Sequence, residues 1–98
     1  MSMLAVSIVW DHPRIPHDLL PVMLCLGENC SPDFWGRMPN LERLGRRIRL
    51  SPEEVKNKLR QCRDLGLISF LRPLEGPNEF DVPAFMIHQN SDLPEEVS

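Results

Sequence analysis

The chain has 98 residues, of which 42% are hydrophobic and 26% are charged, and its formal net charge is −3. This length supports one domain with one hydrophobic core and excludes a second core. Ten prolines predict short elements separated by many turns. Three cysteines cannot all pair within one chain, which favours reduced thiols and an intracellular, cytoplasmic protein.

An apolar run occupies residues 3–10, "MLAVSIVW". It is too short to span a membrane, and neither a basic flank nor a small-residue cleavage site accompanies it, so we expect no membrane partner. A run of this length fits a first strand or a short helix equally well, and the sequence does not choose between them.

The charge of the chain is strongly polarised. The segment 37–72 holds ten basic and four acidic residues, a net charge of +6, whereas the remainder holds one basic and ten acidic residues, a net charge of −9. A charge run is often no more than a solvated face. Because the local field decides electrostatic attraction, however, this block favours an anionic ligand despite the acidic total.

The first clear helical pattern covers residues 17–26. Pro16 precedes it and Gly27 follows it, as is typical of a helix start and stop. The next residues read as a turn-rich connection, in which Phe34 and Trp35 are expected to pack back onto the core.

Two further helices are predicted from their capping residues. Asn40 can cap a helix over residues 41–48, and the pattern S-x-x-E from Ser51 to Glu54 starts another that ends at Gly66. The core face of the longer helix is expected to carry Val55, Leu59, Cys62 and Leu65.

After Gly66 the hydrophobic pattern changes from the helical period to the alternation typical of β-strands. "LISFLR" reads as one strand, residues 73–79 as a Gly/Pro-rich loop, and "FDVPAFMIH" as a returning strand. Pro83 is expected to confine the returning strand to a sheet edge. The polar, acidic residues 89–98 are predicted to be a flexible tail.

This order of elements resembles a winged helix-turn-helix domain of the kind found in phage and bacterial replication-initiation and transcriptional regulatory proteins. The likeness is carried by "HPRIPHDLLPVMLCL" and "LERLGRRIRLSPEEVKNKLRQCRDLGLISF" and is clearest over residues 12–86. It implies an α+β fold with a three-helix core and a C-terminal β-hairpin wing, in one domain over residues 1–88. Gly45 matches the small residue of the second helix and Leu50 the buried residue after the turn, whereas Arg49 stands where the family usually has glycine.

The resemblance implies a sequence-specific transcription or replication regulator whose partner is double-stranded DNA, read by the third helix in the major groove. Since a single module of this size buries little interface, we expect it to act as a homodimer. Asn57 and Arg60 have the chemistry to contact base edges. The phosphate-contacting candidates are Arg46, Arg47, Arg49, Lys56 and Arg63.

Simpler roles compete with these. Arg60 and Lys56 can pair with Asp64 and Glu53 along one helix, and Glu53 can stabilise the helix start while repelling DNA there. A second function therefore stays open, namely a protein-interaction winged helix, a phage- or plasmid-type adaptor or inhibitor that docks on a host protein.

Catalysis and metal binding are not indicated. The sequence has no recognisable nucleophile–base pair, phosphate-binding glycine loop or paired carboxylates, so we expect neither an enzyme nor a cofactor. Cys25, Cys30 and His17 are the conceivable metal ligands, but the C-x4-C spacing is unusual and no second pair follows.

Overall fold

The computed structural model describes residues 3–71 and 76–89 and has an α+β architecture. Arg72, much of the predicted loop, and the predicted tail beyond Gln89 lie outside the described residues. The elements in chain order are α1 (Met3–Asp11), a short 3-10 helix (His17–Leu19), α2 (Leu20–Glu28), β1 (Trp35–Arg37), α3 (Leu41–Ile48), α4 (Pro52–Asp64), β2 (Ile68–Leu71) and β3 (Ala84–Ile87).

The N-terminal apolar run is a helix, α1, which packs on α2. Ala5 and Val9 are fully buried in this contact. The two helices meet at Gly27. A β-carbon added to Gly27 would lie 3.5 Å from the Ala5 carbonyl oxygen and 3.5 Å from Val9 Cγ2, which is ordinary van der Waals contact. Gly27 was predicted to follow the end of this helix. The prediction was wrong, because Gly27 lies inside α2, which continues to Glu28.

The sheet has three antiparallel strands in the order β1-β3-β2. Pairing β2 with β3 gives the predicted hairpin, but β1 forms within the segment that was predicted to be only a connection. The prediction that Pro83 confines this strand to a sheet edge is wrong, since β3 is the central strand. Pro83 precedes β3 and therefore removes no hydrogen bond from the strand pairing. Its carbonyl instead accepts a hydrogen bond from Met38 N–H at 3.2 Å.

Phe34, just before β1, and Trp35, the first residue of β1, differ in their burial. Phe34 packs against the core, as expected, whereas Trp35 is 43% exposed. Successive strand residues face opposite sides of a sheet. Because Gly36 pairs with the fully buried Phe85 on the inner side, Trp35 beside Met86 must point outward.

The core lies between α1, α2, α4 and the inner face of the sheet. Val55, Leu59 and Cys62 of α4 are fully buried, as their spacing predicts. Leu65 was also assigned to this face, but it is 53% exposed. Leu65 still donates its N–H to Gln61 O at 3.0 Å, but three positions after Cys62 a helical residue is rotated by about 300°, which places Leu65 at the margin of the buried face.

His12 is a buried polar residue with an expected effect on stability. It is 7% exposed, its Nδ1 accepts the Arg14 N–H at 3.2 Å, and its Nε2 has no partner among the described residues. Burial lowers the pKa of His12 from 6.5, and the nearby backbone of His88 only partly offsets this. The unfolded chain therefore binds a proton more readily than the folded one below pH 6.5.

We expect the free energy of unfolding to fall between pH 7.5 and pH 5.5, measured by urea denaturation. His12→Gln should reduce this slope, whereas His17→Gln, at an exposed position, should keep it. An unchanged slope in His12→Gln would assign the pH dependence to other groups.

Candidate nucleic-acid interface

Helices α3 and α4 are delimited by side-chain caps. Asn40 Oδ1 accepts the Arg43 N–H at 3.1 Å and begins α3. At α4, Ser51 Oγ accepts the Glu54 N–H, and Glu54 Oε1 accepts the Ser51 N–H, both at 3.2 Å. This reciprocal pair is the predicted capping box. The two caps leave only residues 49–51 between the helices, which confirms the predicted three-residue interruption.

The turn between the helices is closed by two N–H groups on one carbonyl. Arg49 is left-handed, with φ 60° and ψ 42°, and its N–H and that of Leu50 both donate to Gly45 O. A non-glycine residue in this region costs about 1–2 kcal/mol. The backbone strain of this turn is thus located at Arg49.

Arg49→Gly should therefore raise the free energy of unfolding by about 0.5–1 kcal/mol, because glycine adopts the left-handed conformation without strain. Urea denaturation followed by circular dichroism measures this. Arg46→Gly, in the interior of α3, should instead lower it by about 1 kcal/mol. Destabilisation by both substitutions would show that Arg49 makes a stabilising contact that outweighs its strain.

Cations without ion-pair partners are concentrated on α3 and the turn. Arg43, Arg46 and Arg49 are exposed, and the described residues provide none of them with a carboxylate partner. A spacing of three places Arg43 and Arg46 on neighbouring turns of one side of α3, and Arg49 lies in the turn directly after the helix. Arg47 forms an ion pair with Glu28 of α2, although its side chain stays 62% exposed. The α3–turn surface, defined as Arg43, Arg46, Arg47 and Arg49, is therefore strongly positive.

Helix α4 is different, because each of its cations has an acidic partner. Of the two competing pairs predicted along this helix, Lys56–Glu53 is present and Arg60–Asp64 is replaced by a pair with Glu79. The N–O distances are 3.4 Å for Lys56–Glu53, 3.1 Å for Lys58–Asp18, 2.8 Å for Arg60–Glu79, and 3.4 Å for Arg63 to both Asp64 and Glu79.

The two base-reading candidates are bonded to each other. Arg60 Nη1 donates to Asn57 Oδ1 at 2.8 Å, and the guanidinium lies 5.3 Å from the centroid of the Phe80 ring. Asn57 is exposed and Arg60 is partly exposed, with the Arg60 guanidinium turned towards Phe80 and Glu79. The arrangement fixes their direction before any ligand is present.

Two residues that contribute to the candidate site, Arg43 and Glu79, were not among the site residues predicted from the sequence. Arg43 was counted in the basic block but not in the site, although the spacing from Arg43 to Arg46 already places them on one side of α3. Glu79 is the last residue of the predicted Gly/Pro-rich loop and was not assigned to the site. Nothing local indicates its contact with Arg60, because 19 residues separate them.

The three cysteines are buried thiols without a group of metal ligands around them in the described part of the chain. Cys25, Cys30 and Cys62 are free and buried, and burial raises the pKa of Cys30 to about 11 and that of Cys62 to about 12. Over residues 3–71 and 76–89, no three side chains of His, Cys, Asp or Glu are grouped so that they could hold a metal ion. Within the same ranges, no helix has the length and apolar character needed to cross a bilayer.

No family model, curated protein or solved structure matches this chain. Its function is accordingly inferred from the side chains of α3, the turn and α4.

Proposed function

We propose that the protein is a DNA-binding winged helix-turn-helix regulator of transcription or replication. Helix α4 enters the major groove with Asn57 and Arg60 towards the base edges. The α3–turn surface lies on the phosphates, with Lys56 and Arg63 as flanking contacts.

The unpaired arginines Arg43, Arg46 and Arg49 carry this proposal. Keeping three like charges close together disfavours the folded chain unless an anion is bound, and Arg49 adds backbone strain. Phosphates spaced along a duplex are an anionic ligand of suitable extent for such a row. The antiparallel β2–β3 pair follows α4 directly and supports its assignment as a wing.

A salt titration tests the proposal. Binding to a fluorescein-labelled 20-bp duplex, measured by anisotropy between 50 and 300 mM KCl, should weaken with a slope of log affinity against log salt of about −3, or about −0.9 for each unpaired arginine. Affinity that does not change with salt, or no binding at 50 mM KCl, would contradict it.

The homodimer is proposed to form through α1. Its outer face exposes Met3 by 75%, Leu4 by 54% and Trp10 by 61%, and these residues carry no charge. Three side chains per copy bury less than the roughly 1,200 Å² at which specific interfaces begin, so we expect a weak dimer whose formation depends on protein concentration. An antiparallel pair would also place Asp11 beside the positive helix N-terminus of the second copy.

Sedimentation velocity across a concentration series tests the dimer. Leu4→Lys should shift the protein to monomer, whereas Leu65→Lys, at an equally exposed leucine on α4's C-terminal side, should leave the distribution unchanged. A monomeric parent protein at 100 μM would contradict the α1 dimer.

The ion pairing of α4 favours a second candidate function. A helix whose cations are already paired resembles a protein-docking surface more than a typical phosphate contact, and the acidic start at Glu53 adds to this. The protein would then be an adaptor or inhibitor that docks on a host protein. A stoichiometric complex with purified host transcription or replication proteins, combined with no DNA binding at 50 mM KCl, would favour it over the first.

A further inference from the structure

One carboxylate faces two arginines of α4. Glu79 Oε1 accepts from Arg60 Nε at 2.8 Å and from Arg63 Nη1 at 3.4 Å. Glu79 comes from the segment that leads into β3, so the contact joins the proposed wing to the proposed recognition helix. We call these three residues the Glu79 clamp.

The backbone around Glu79 holds the carboxylate in place. Asn78 N–H donates to Asp81 Oδ2 at 2.9 Å, and Asp81 N–H donates to Asn78 O at 3.0 Å. These two bonds close a turn with Glu79 at its exposed position. The next residue, Phe80, is buried and anchors the turn to the core.

Aromatic rings support both guanidinium groups from below. Arg60 lies over Phe80 at 5.3 Å and Arg63 over Phe70 at 5.7 Å, while the two rings pack edge to face with centroids 5.5 Å apart. A guanidinium stacks favourably on the face of an aromatic ring, and its N–H groups then remain free to donate to an acceptor beside the ring. At present Glu79 supplies that acceptor for both.

The charges around the clamp cancel. Arg60 and Arg63 face Glu79, and Arg63 also contacts Asp64 at 3.4 Å, so two cations meet two carboxylates. Arg60 and Glu79 side chains remain 38% and 42% exposed. An ion pair this exposed is weak and can be exchanged for another anion from solution.

We propose that Glu79 is a specificity-determining residue that occupies the place of a DNA phosphate on α4. This inference rests on the proposed DNA-binding function. The carboxylate must be displaced before Arg60 and Arg63 can contact DNA. A duplex that offers only phosphates gains little from that exchange, because one anion replaces another. A target site gains more, because its base edges also contact Asn57 and Arg60. Glu79 thus lowers binding to random DNA more than binding to the target.

Glu79→Gln tests this with a 20-bp duplex of random sequence as probe. Affinity at 100 mM KCl should rise about 10-fold, and the salt slope should steepen by about 1, since Arg60 becomes available for phosphate while Arg63 keeps its contact with Asp64. Asp33→Asn is the matched control, because it removes the same charge at an exposed residue for which the described residues contain no ion pair. It should change affinity less than 2-fold.

A second substitution distinguishes a direct effect of Glu79 on Arg60 from a general effect of the negative charge of Glu79. Arg60→Gln should weaken binding to the random duplex strongly in the Glu79→Gln background and only slightly in the parent protein. Equal gains from Glu79→Gln and Asp33→Asn, or equal effects of Arg60→Gln in both backgrounds, would overturn the inference while leaving the DNA-binding function in place. Weaker binding by Glu79→Gln would also overturn it. No binding by any of the proteins would overturn the proposed function together with the inference.

Discussion

Gly45→Ala is expected to lower the free energy of unfolding by about 1–2 kcal/mol, although alanine is the better helix former. A β-carbon at Gly45 would overlap the Leu50 carbonyl oxygen and come within 3.3 Å of Val55 Cγ2. The Leu50 obstacle is backbone, so it cannot rotate away as a flexible side chain could. Overpacking of this kind costs about 1–3 kcal/mol, which exceeds the helix-propensity gain of about 1 kcal/mol.

Gly27→Ala is the matched control, since Gly27 is also a buried helical glycine. A β-carbon there would meet its three nearest atoms at 3.5 Å, which is ordinary contact. We therefore expect a neutral effect or a gain of up to about 1 kcal/mol. Urea denaturation of both variants measures the difference. Equal effects would show that the close approach of α3 to the turn does not limit the residue at Gly45.

The second large effect is expected for DNA affinity. Replacing Arg43, Arg46 and Arg49 together with glutamine should lower affinity about 100-fold at 50 mM KCl and reduce the salt slope by about 3. In the proposed function these arginines contribute their full charge to phosphate binding, because the described residues give them no carboxylate partner. Their removal breaks no ion pair among the described residues, and the fold should persist.

A second triple variant provides the control for net charge. Replacing Lys56, Lys58 and Arg63 with glutamine removes the same three charges, but from residues that already have carboxylate partners. Its affinity should fall about 10-fold or less. Equal losses in both variants would mean that total charge governs binding, and that the α3–turn surface has no special part in it. Anisotropy measures the affinity, and circular dichroism verifies that each variant is folded.

The lengths of α3 and α4 could be predicted because short-range interactions fix them. Asn40 caps a residue three positions along, Ser51 and Glu54 cap each other, and Gly66 ends the turn after α4 with φ 78°. All of these depend on backbone and side-chain groups within about four residues of each other, and such groups are visible as a pattern in the sequence.

The candidate site could be predicted only in part. The basic block located the arginines of α3, since charge and helical spacing are properties of the sequence. Which cations are free depends on carboxylates elsewhere in the chain, such as Asp18 for Lys58 and Glu79 for Arg60. The sequence assigned equal roles to Arg46 and Arg63, and only the fold shows that one is unpaired and the other paired.

By itself, then, the sequence determined an α+β domain with two capped helices around a three-residue turn and a positive segment across them. The tertiary structure decided that β1 joins the sheet, that β3 lies at its centre, that Trp35 points outward and that Glu79 reaches α4. The physical reason is range. Capping bonds form between near neighbours whatever the remaining chain does, whereas strand order, exposure and distant ion pairs exist only after the core has brought remote segments together.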